Sequence, residues 1–398
     1  MLSQRQLFLN HVAQTSDMPL SLEIVDSKGI YLKDKSGRTY IDLIAGISVS
    51  SLGHNHPKIV AAVKEQAEKY LHTLVYGEFV LAPQVELASL LVKYLPSNLD
   101  SCYFVSSGTE ATEGALKLAK RYTGRPNIIA CKKAYHGSTH GALSLMSDSF
   151  FTAPFRPLLP NIRFIEFNNL EDLELINGES ACVIMETVRA EVGVQKPEQG
   201  YLKAVRERCT ETSTLLIFDE IQVGCGRTGS LFAFEQYEVV PDILLLAKAF
   251  GGGMPLGAFV SAKEIMQAFT NNPFLGHITT FGGHPVCCAA GLTSLKILTE
   301  EKEIIGQVEE KEQLFHQLLR HPKIRAIRSA GLLMAVELGS FWAVKAVIDQ
   351  CIQSGLITDW FLFNDGALRI APPLTISQEE IQKACAIILQ AIHSTLAD

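Results

Sequence analysis

Six short apolar runs of strand length constrain this chain more than any other feature. They are SCYFV (101–105), NIIACK (127–132), ACVIME (181–186), TLLIFDE (214–220), DILLLA (242–247) and GAFVSA (257–262), separated by longer stretches with helical spacing. A strand with one face in water alternates polar and apolar residues, whereas a continuous apolar run has to be covered on both faces. Such runs alternating with helices specify an α/β fold around a mostly parallel sheet. The 398 residues, 47% hydrophobic and 19% charged, supply core enough for two or three compact domains.

The two ends of the chain read differently. Residues 20–44 alternate like a small antiparallel meander with KSGR as a turn, and long helical stretches after about residue 290 surround IRAIRSAGLLMAVEL and ALRIAPPLTI. We expect both ends to form one smaller α+β domain. Its N-terminal part is 1–45 and its C-terminal part 291–398, around a large domain at 46–290. The net charge of -7 argues against nucleic acid and anionic membrane as partners. No apolar run approaches the roughly 18 residues that span a bilayer, and the first twenty residues hold no secretory apolar region. The 9 cysteines are scattered without a C-x-x-C pair, which fits reduced thiols and speaks against a disulfide framework or a metal site. A cytoplasmic protein is the expectation.

Polar residues at the ends of the apolar runs carry the chemistry, because ligands of open α/β sheets sit beyond strand ends. Lys248 follows DILLLA and precedes three glycines. Burial there lowers an amine's pKa and favours the neutral nucleophile, although a lysine snorkelling from a strand end gives the same pattern. Asp219 closes LLIFD, where a carboxylate can pair with a protonated ring nitrogen such as that of pyridoxal 5′-phosphate (PLP); a helix-capping aspartate is the other reading. Gln222 follows, placed for a phenolic oxygen. Ser107, Gly108 and Thr109 open an amphipathic helix and suit a phosphate, while Thr109, Glu110 and Glu113 also fit a capping box. Tyr135, in AYHG beside His136, is either a stacking ring over a flat heterocycle or a core tyrosine.

These residues, with GIYLKDKSGRTYIDLIAGISVSSLGHNHP and ALRIAPPLTI at the two ends, resemble the class III (ω-amino acid) aminotransferases of PLP fold type I. The group includes acetylornithine, ornithine and 4-aminobutyrate enzymes. IFDEIQVGCGRTG looks like its Asp-Glu-x-Gln block. The resemblance implies that Lys248 is the Schiff-base lysine and proton shuttle, Asp219 the pyridinium partner and Gln222 the neighbour of the ring hydroxyl. Ser107, Gly108 and Thr109 would hold the phosphate, Tyr135 would stack on the ring, and His136 and Glu186 would belong to the cofactor site. Thr280, in HITTFGGHP, would reach the phosphate of a neighbouring subunit in a homodimer with shared sites. Arg369 would bind the carboxylate of glutamate or 2-oxoglutarate, with Glu191 pairing with it when an ω-amino donor is bound.

Three departures from the family pattern bear on substrate. The Glu-Pro-x-Gln-Gly-Glu block reads ETVRAE, Ser138 stands where acetylornithine and ornithine enzymes carry a carboxylate-binding arginine, and Ile47 replaces the tyrosine of ornithine enzymes. Arg189 is the candidate replacement cation. The expected reaction is ping-pong transfer from an acetylornithine-, ornithine- or 4-aminobutyrate-like donor to 2-oxoglutarate. A diamine or other amine without the donor carboxylate is the alternative donor. A PLP aminomutase, racemase or decarboxylase, or a binding protein on a decayed scaffold, are the rival functions.

Overall fold

The computed structural model describes residues 2–396. An antiparallel meander comes first: β1 (Ile24–Lys28), β2 (Tyr31–Asp34) and β3 (Thr39–Asp42). The central sheet follows, with β4 (Ser101–Val105), β5 (Asn127–Cys131), β6 (Ile162–Ile165), β7 (Ser180–Glu186), β8 (Leu215–Asp219), β9 (Ile243–Leu246) and β10 (Gly257–Ser261). Its spatial order is β4-β10-β9-β8-β7-β5-β6. Strands β5 to β9 run parallel, and only β10 is antiparallel to its neighbours β9 and β4. All six apolar runs are therefore strands of one sheet. The edge strand β6 was not among them, because Arg163 interrupts IRFI and half of the strand is only partly covered.

Alternate side chains of these strands enter two cores. Ile128, Ala130, Ile217, Ile243 and Leu245 pack with helix Gly108–Thr123, while Ile129, Leu216, Phe218, Leu244 and Leu246 join the larger cluster on the opposite face. Burying one such side chain stabilises the fold by about 1.5–3 kcal/mol, which explains why both faces of each run have to be apolar. Helix Tyr201–Thr212 packs on β7 and β8, and helix Pro285–Glu300 on helices Pro57–Lys69 and Ala82–Lys93. That last long helix passes through residue 290 without a break.

The C-terminal region adds β11 (Ala326–Ser329), β12 (Met334–Glu337), β13 (Leu356–Ile357), β14 (Trp360–Phe361) and β15 (Asn364–Ile370). Strands β11, β12, β15 and β14 form their own antiparallel sheet, but β13 pairs in parallel with β3. The two chain ends thus meet in one sheet beside the central one. Among the described residues no helix is long and apolar enough to cross a membrane.

Candidate active site

A cavity of about 480 Å³ opens at the carboxyl ends of the parallel strands. Its wall is supplied by Ser106 to Thr109 after β4, Tyr135 to Ser138 after β5, Glu186 at the end of β7, Asp219 and Ile221 to Val223 around the end of β8, and Lys248 after β9. The size suits a small heterocyclic cofactor.

Glu186 and Asp219 are register partners on adjacent strands. Two buried carboxylates side by side do not both ionise readily, and their surroundings treat them differently. Asp219 is held by two donors: the buried His136 ring through Nδ1 at 2.7 Å and the Ile221 amide at 2.9 Å. Glu186 has one donor, the Ala190 amide at 3.0 Å, and burial pushes its pKa up to about 7. The segment after Asp219 is a turn and not a helix, so the helix-capping reading of this aspartate drops out. Three buried atoms on the cavity wall have no hydrogen-bond partner: His136 Nε2, Glu186 Oε2 and Gln222 Nε2. A native protein rarely leaves such atoms unsatisfied, and a polar ring with substituents would satisfy them.

Lys248 projects into the same cavity. Its φ is +50°, an uncommon conformation for a residue with a Cβ, at the start of the 3₁₀ turn Lys248–Gly251. The ammonium donates to Gln222 Oε1 at 2.8 Å. Burial lowers the Lys248 pKa to about 8, with the nearby Arg369 adding to the effect and Glu191 opposing it. A snorkelling lysine would keep its head in water; this one does not.

Opposite the lysine, helix Gly108–Thr123 points its N-terminus at the cavity. Its first N–H groups have no partner within the helix, which suits a phosphate. Ser107 is the helix cap, accepting from the Glu110 amide at 3.3 Å. Glu113 does not complete the capping box read from the sequence. Its carboxylate instead takes the Thr139 hydroxyl and the Gly141 and Ala142 amides, tying the loop after Tyr135 to the helix whose N-terminus faces the cavity. Gly137 is required in that loop: its φ is +128°, and a Cβ there would lie 2.3 Å from Thr109 Oγ1.

A second cavity, about 830 Å³, adjoins the first across Tyr135 and Ser138, which line both. Arg369 on β15 stands at its base, buried and bound to Glu191 through both terminal nitrogens at 2.8 and 3.0 Å. A surface strand arginine is therefore excluded. Glu191 stays ionised, held below its ordinary pKa against burial by the Arg369 guanidinium. Asp359, Trp360, Met146, Phe151 and Phe155 complete much of the wall. None of these five stood out in the sequence, since nothing local marks residues brought together by chain folding.

Ile47 also lines the second cavity, on an unusual support. Ala45, Gly46, Ile47 and Ser48 all have φ between +47° and +63°, a single left-handed turn. Buried Asp42 caps it, accepting from the Ile44 and Ala45 amides at 2.8 and 3.0 Å, and its other oxygen meets His54 Nε2 at 2.7 Å.

Two expected site residues lie elsewhere. Arg189 is on neither cavity wall: its guanidinium donates to Gln195 Oε1 and the Lys133 carbonyl and stacks over Phe167. The chain reverses at Ala190–Val194, which turns Arg189 away from Glu191 and makes it a brace for the segment leading to Tyr135. The expectation that it replaces the missing donor cation is thereby corrected. Thr280 is exposed on a loop whose backbone is held by His72, outside both cavities.

Comparison with known proteins agrees with this geometry. Residues 12–392 match the family described as aminotransferase class-III. The acetylornithine aminotransferase of Methanopyrus kandleri is 38% identical over 390 residues, 97% of each chain. That of Clostridium acetobutylicum is 37% identical over 377 residues, 92% of this chain and 95% of its own. The ornithine aminotransferase of Toxoplasma gondii, crystallised with partial occupancy of PLP at its active site, superposes with a TM-score of 0.90 at 30% identity, covering 98% of this chain and 93% of that one. The chain belongs to the class-III aminotransferases, a PLP-dependent family.

Proposed function

We propose that this aminotransferase moves the terminal amino group of an ω-amino donor to 2-oxoglutarate by ping-pong turnover. The carrying observation is one cavity that holds a depressed-pKa lysine, a doubly anchored aspartate and a helix N-terminus, opening onto a cavity with a carboxylate-paired arginine. PLP, when bound, supplies an electrophilic carbonyl and an electron sink. The chain supplies the rest. Lys248 would hold the cofactor through its Nζ and, once freed, would carry a proton at that atom to and from the donor carbon. Asp219, aimed by its bond to His136, would pair with the ring nitrogen, Gln222 with the ring oxygen, and Ser107, Gly108 and Thr109 with the phosphate, while Tyr135 would cover the ring. Glu191 covers Arg369 while the donor reacts and turns away when the carboxylate of the acceptor arrives, where a bidentate pair replaces it.

An acetylornithine-, ornithine- or 4-aminobutyrate-like donor follows from the relatives. A second reading has its own observation: Ser138 is uncharged and Arg189 is tied away, so a donor lacking a carboxylate at that end, such as a diamine, suits the wall. We also read the enzyme as a homodimer. Val80 is 91% and Phe274 80% exposed, Phe79, Leu71 and Phe281 are exposed as well, and the His72–Phe281 ring contact joins the loops of Leu71 and Phe281. Large apolar side chains left in water suit an interface, and exposed Thr280, beside Phe281, is available to a partner's site. The unpaired pattern of cysteines supports cytoplasmic residence.

The test is a half-reaction on the holoenzyme. Donor alone should release one equivalent of carbonyl product per site and bleach the visible absorbance of the cofactor, and 2-oxoglutarate should restore it. Continuous product formation without an acceptor would instead mean a mutase or decarboxylase. Comparing ω-amino acids with diamines of equal length then separates the two donor readings.

A further inference from the structure

Arg369 has a neighbour on each edge of its guanidinium, and at one of them, Nε against Asp359 Oδ1, the two charges face each other as an ion pair without a hydrogen bond. Glu191 takes both terminal nitrogens, the Trp360 carbonyl accepts from Nη2 at 2.9 Å, and the Phe361 ring lies 4.5 Å from the guanidinium carbon. The remaining nitrogen, Nε, is 2.9 Å from Asp359 Oδ1. One cation therefore carries two carboxylates, and only Glu191 has a role so far.

The two carboxylates differ in how they are held. Glu191 lies within the reversal at 190–194, on a longer side chain; its carboxylate also accepts from the Leu362 amide at 3.0 Å, and its carbonyl from the Phe363 amide at 2.9 Å. Asp359 has a shorter side chain and adjoins β14, which pairs with β15. Its carbonyl accepts from the Arg369 amide at 2.9 Å, and neighbouring Thr358 donates to the Arg369 carbonyl. The Asp359 backbone is thus fixed beside Arg369 by that pairing. It is also the more exposed of the two, 25% against 9% for the side chains, and it lies on the cavity wall.

We propose that Asp359 is a specificity-determining residue: the fixed carboxylate that stays on Arg369 when Glu191 turns away, and so sets how tightly the site holds an acid acceptor. This rests on Arg369 being the acceptor's carboxylate site. With Glu191 in place the local charge is one cation against two anions, and an entering carboxylate that displaces Glu191 meets the same balance. Asp359 half-compensates the guanidinium before the acceptor arrives, which loosens its hold and favours release of the amino-acid product. Burial pushes the Asp359 pKa up to about 6, with Arg369 opposing and Glu191 and Asp42 adding to the rise. Other ionisable groups near it are His140 on the cavity wall, and His54, which is paired with Asp42. Below that pH Asp359 takes a proton, its compensation disappears and the hold on a carboxylate tightens.

The test uses glutarate, an unreactive dicarboxylate, titrated calorimetrically into the holoenzyme as pH falls through about 6. Wild type should bind it more tightly on the acid side. Asp359→Asn, which keeps a neutral acceptor near Nε, should bind it about tenfold more tightly at neutral pH, the size expected for a partly exposed neighbouring charge. Its affinity should lose the step near pH 6, and its KM for 2-oxoglutarate should shift more than kcat. Asp359→Glu, which restores the charge, should regain the step. Unchanged or weaker glutarate binding in Asp359→Asn with the pH step retained overturns the proposal, as does Asp359→Glu without a step. Arg369→Gln should abolish glutarate binding; if it binds as wild type does, the acceptor site lies elsewhere and the assignment of Arg369 falls with it.

Discussion

The inner and outer cavities are both built on charge pairs, yet they hold them in opposite ways. In the inner one, Asp219, at the end of a central strand, is fixed by a buried histidine and the backbone amide of Ile221. In the outer one, Arg369 meets a glutamate from a separate loop, the partner that the proposed mechanism exchanges for a ligand. A cofactor that stays through every turnover calls for the first arrangement, and two substrates taking turns call for the second. The inner region should therefore respond to mutation in rate, and the outer one in substrate binding.

The largest expected effect is on the inner side. Lys248→Ala removes both the capturing amine and the proton carrier, and should lower the half-reaction rate by at least roughly 10⁴-fold, read by stopped-flow absorbance with the fold checked by circular dichroism. Asp219→Asn should cost on the order of 10²–10³-fold in kcat while KM for the acceptor moves little. A large KM change there would break the comparison. The Lys248 pKa adds a pH test: the neutral amine is the reactive form, so the rate of cofactor uptake by the cofactor-free protein should climb with pH and level off above about 8.

How much of this was legible in the sequence follows the same division. Asp219 and Lys248 could be read because each is a charged residue at the end of an apolar run, and a buried strand tolerates a charge only where something binds it. The outer cavity gave less away. Asp359 reaches Arg369 only through strand pairing, and Arg189 was misplaced by a reversal of five residues that its spacing from Glu191 did not reveal. The left-handed turn was invisible for a different reason: Ala, Ile and Ser disfavour that conformation, so local propensity argued against what tertiary structure imposes. β6 escaped because an edge strand needs only one covered face.

On the outer side, Arg369→Lys keeps the charge but loses the bidentate fork. The KM for 2-oxoglutarate should rise roughly 10- to 100-fold, from a lost charge-assisted hydrogen bond plus an unpaired neighbour. The donor half-reaction should change several-fold less. Separate single-turnover measurements with donor and with acceptor check the split, and equal losses in both would show that the two cavities do not divide the work.

The smallest effect is expected at the seam between them. The turn at residues 45–48 places Ile47 on the outer cavity wall, and Val49 just after it lies on the inner one. Each of its non-glycine residues stores about 1–2 kcal/mol in the left-handed region, and Asp42 is the group that opposes this by capping the turn and binding His54. Asp42→Asn keeps one acceptor for the amides but replaces a carboxylate–imidazole bond with a neutral one. A loss of about 1–2 kcal/mol in stability is expected, measurable by denaturant unfolding. If the strain is released on the outer side, donor KM changes a few-fold with kcat preserved, because Ile47 shifts and the strand-anchored cofactor groups do not. A fall in kcat with KM preserved would mean that the turn belongs to the inner region, and that Val49, not Ile47, is the residue it exists to position.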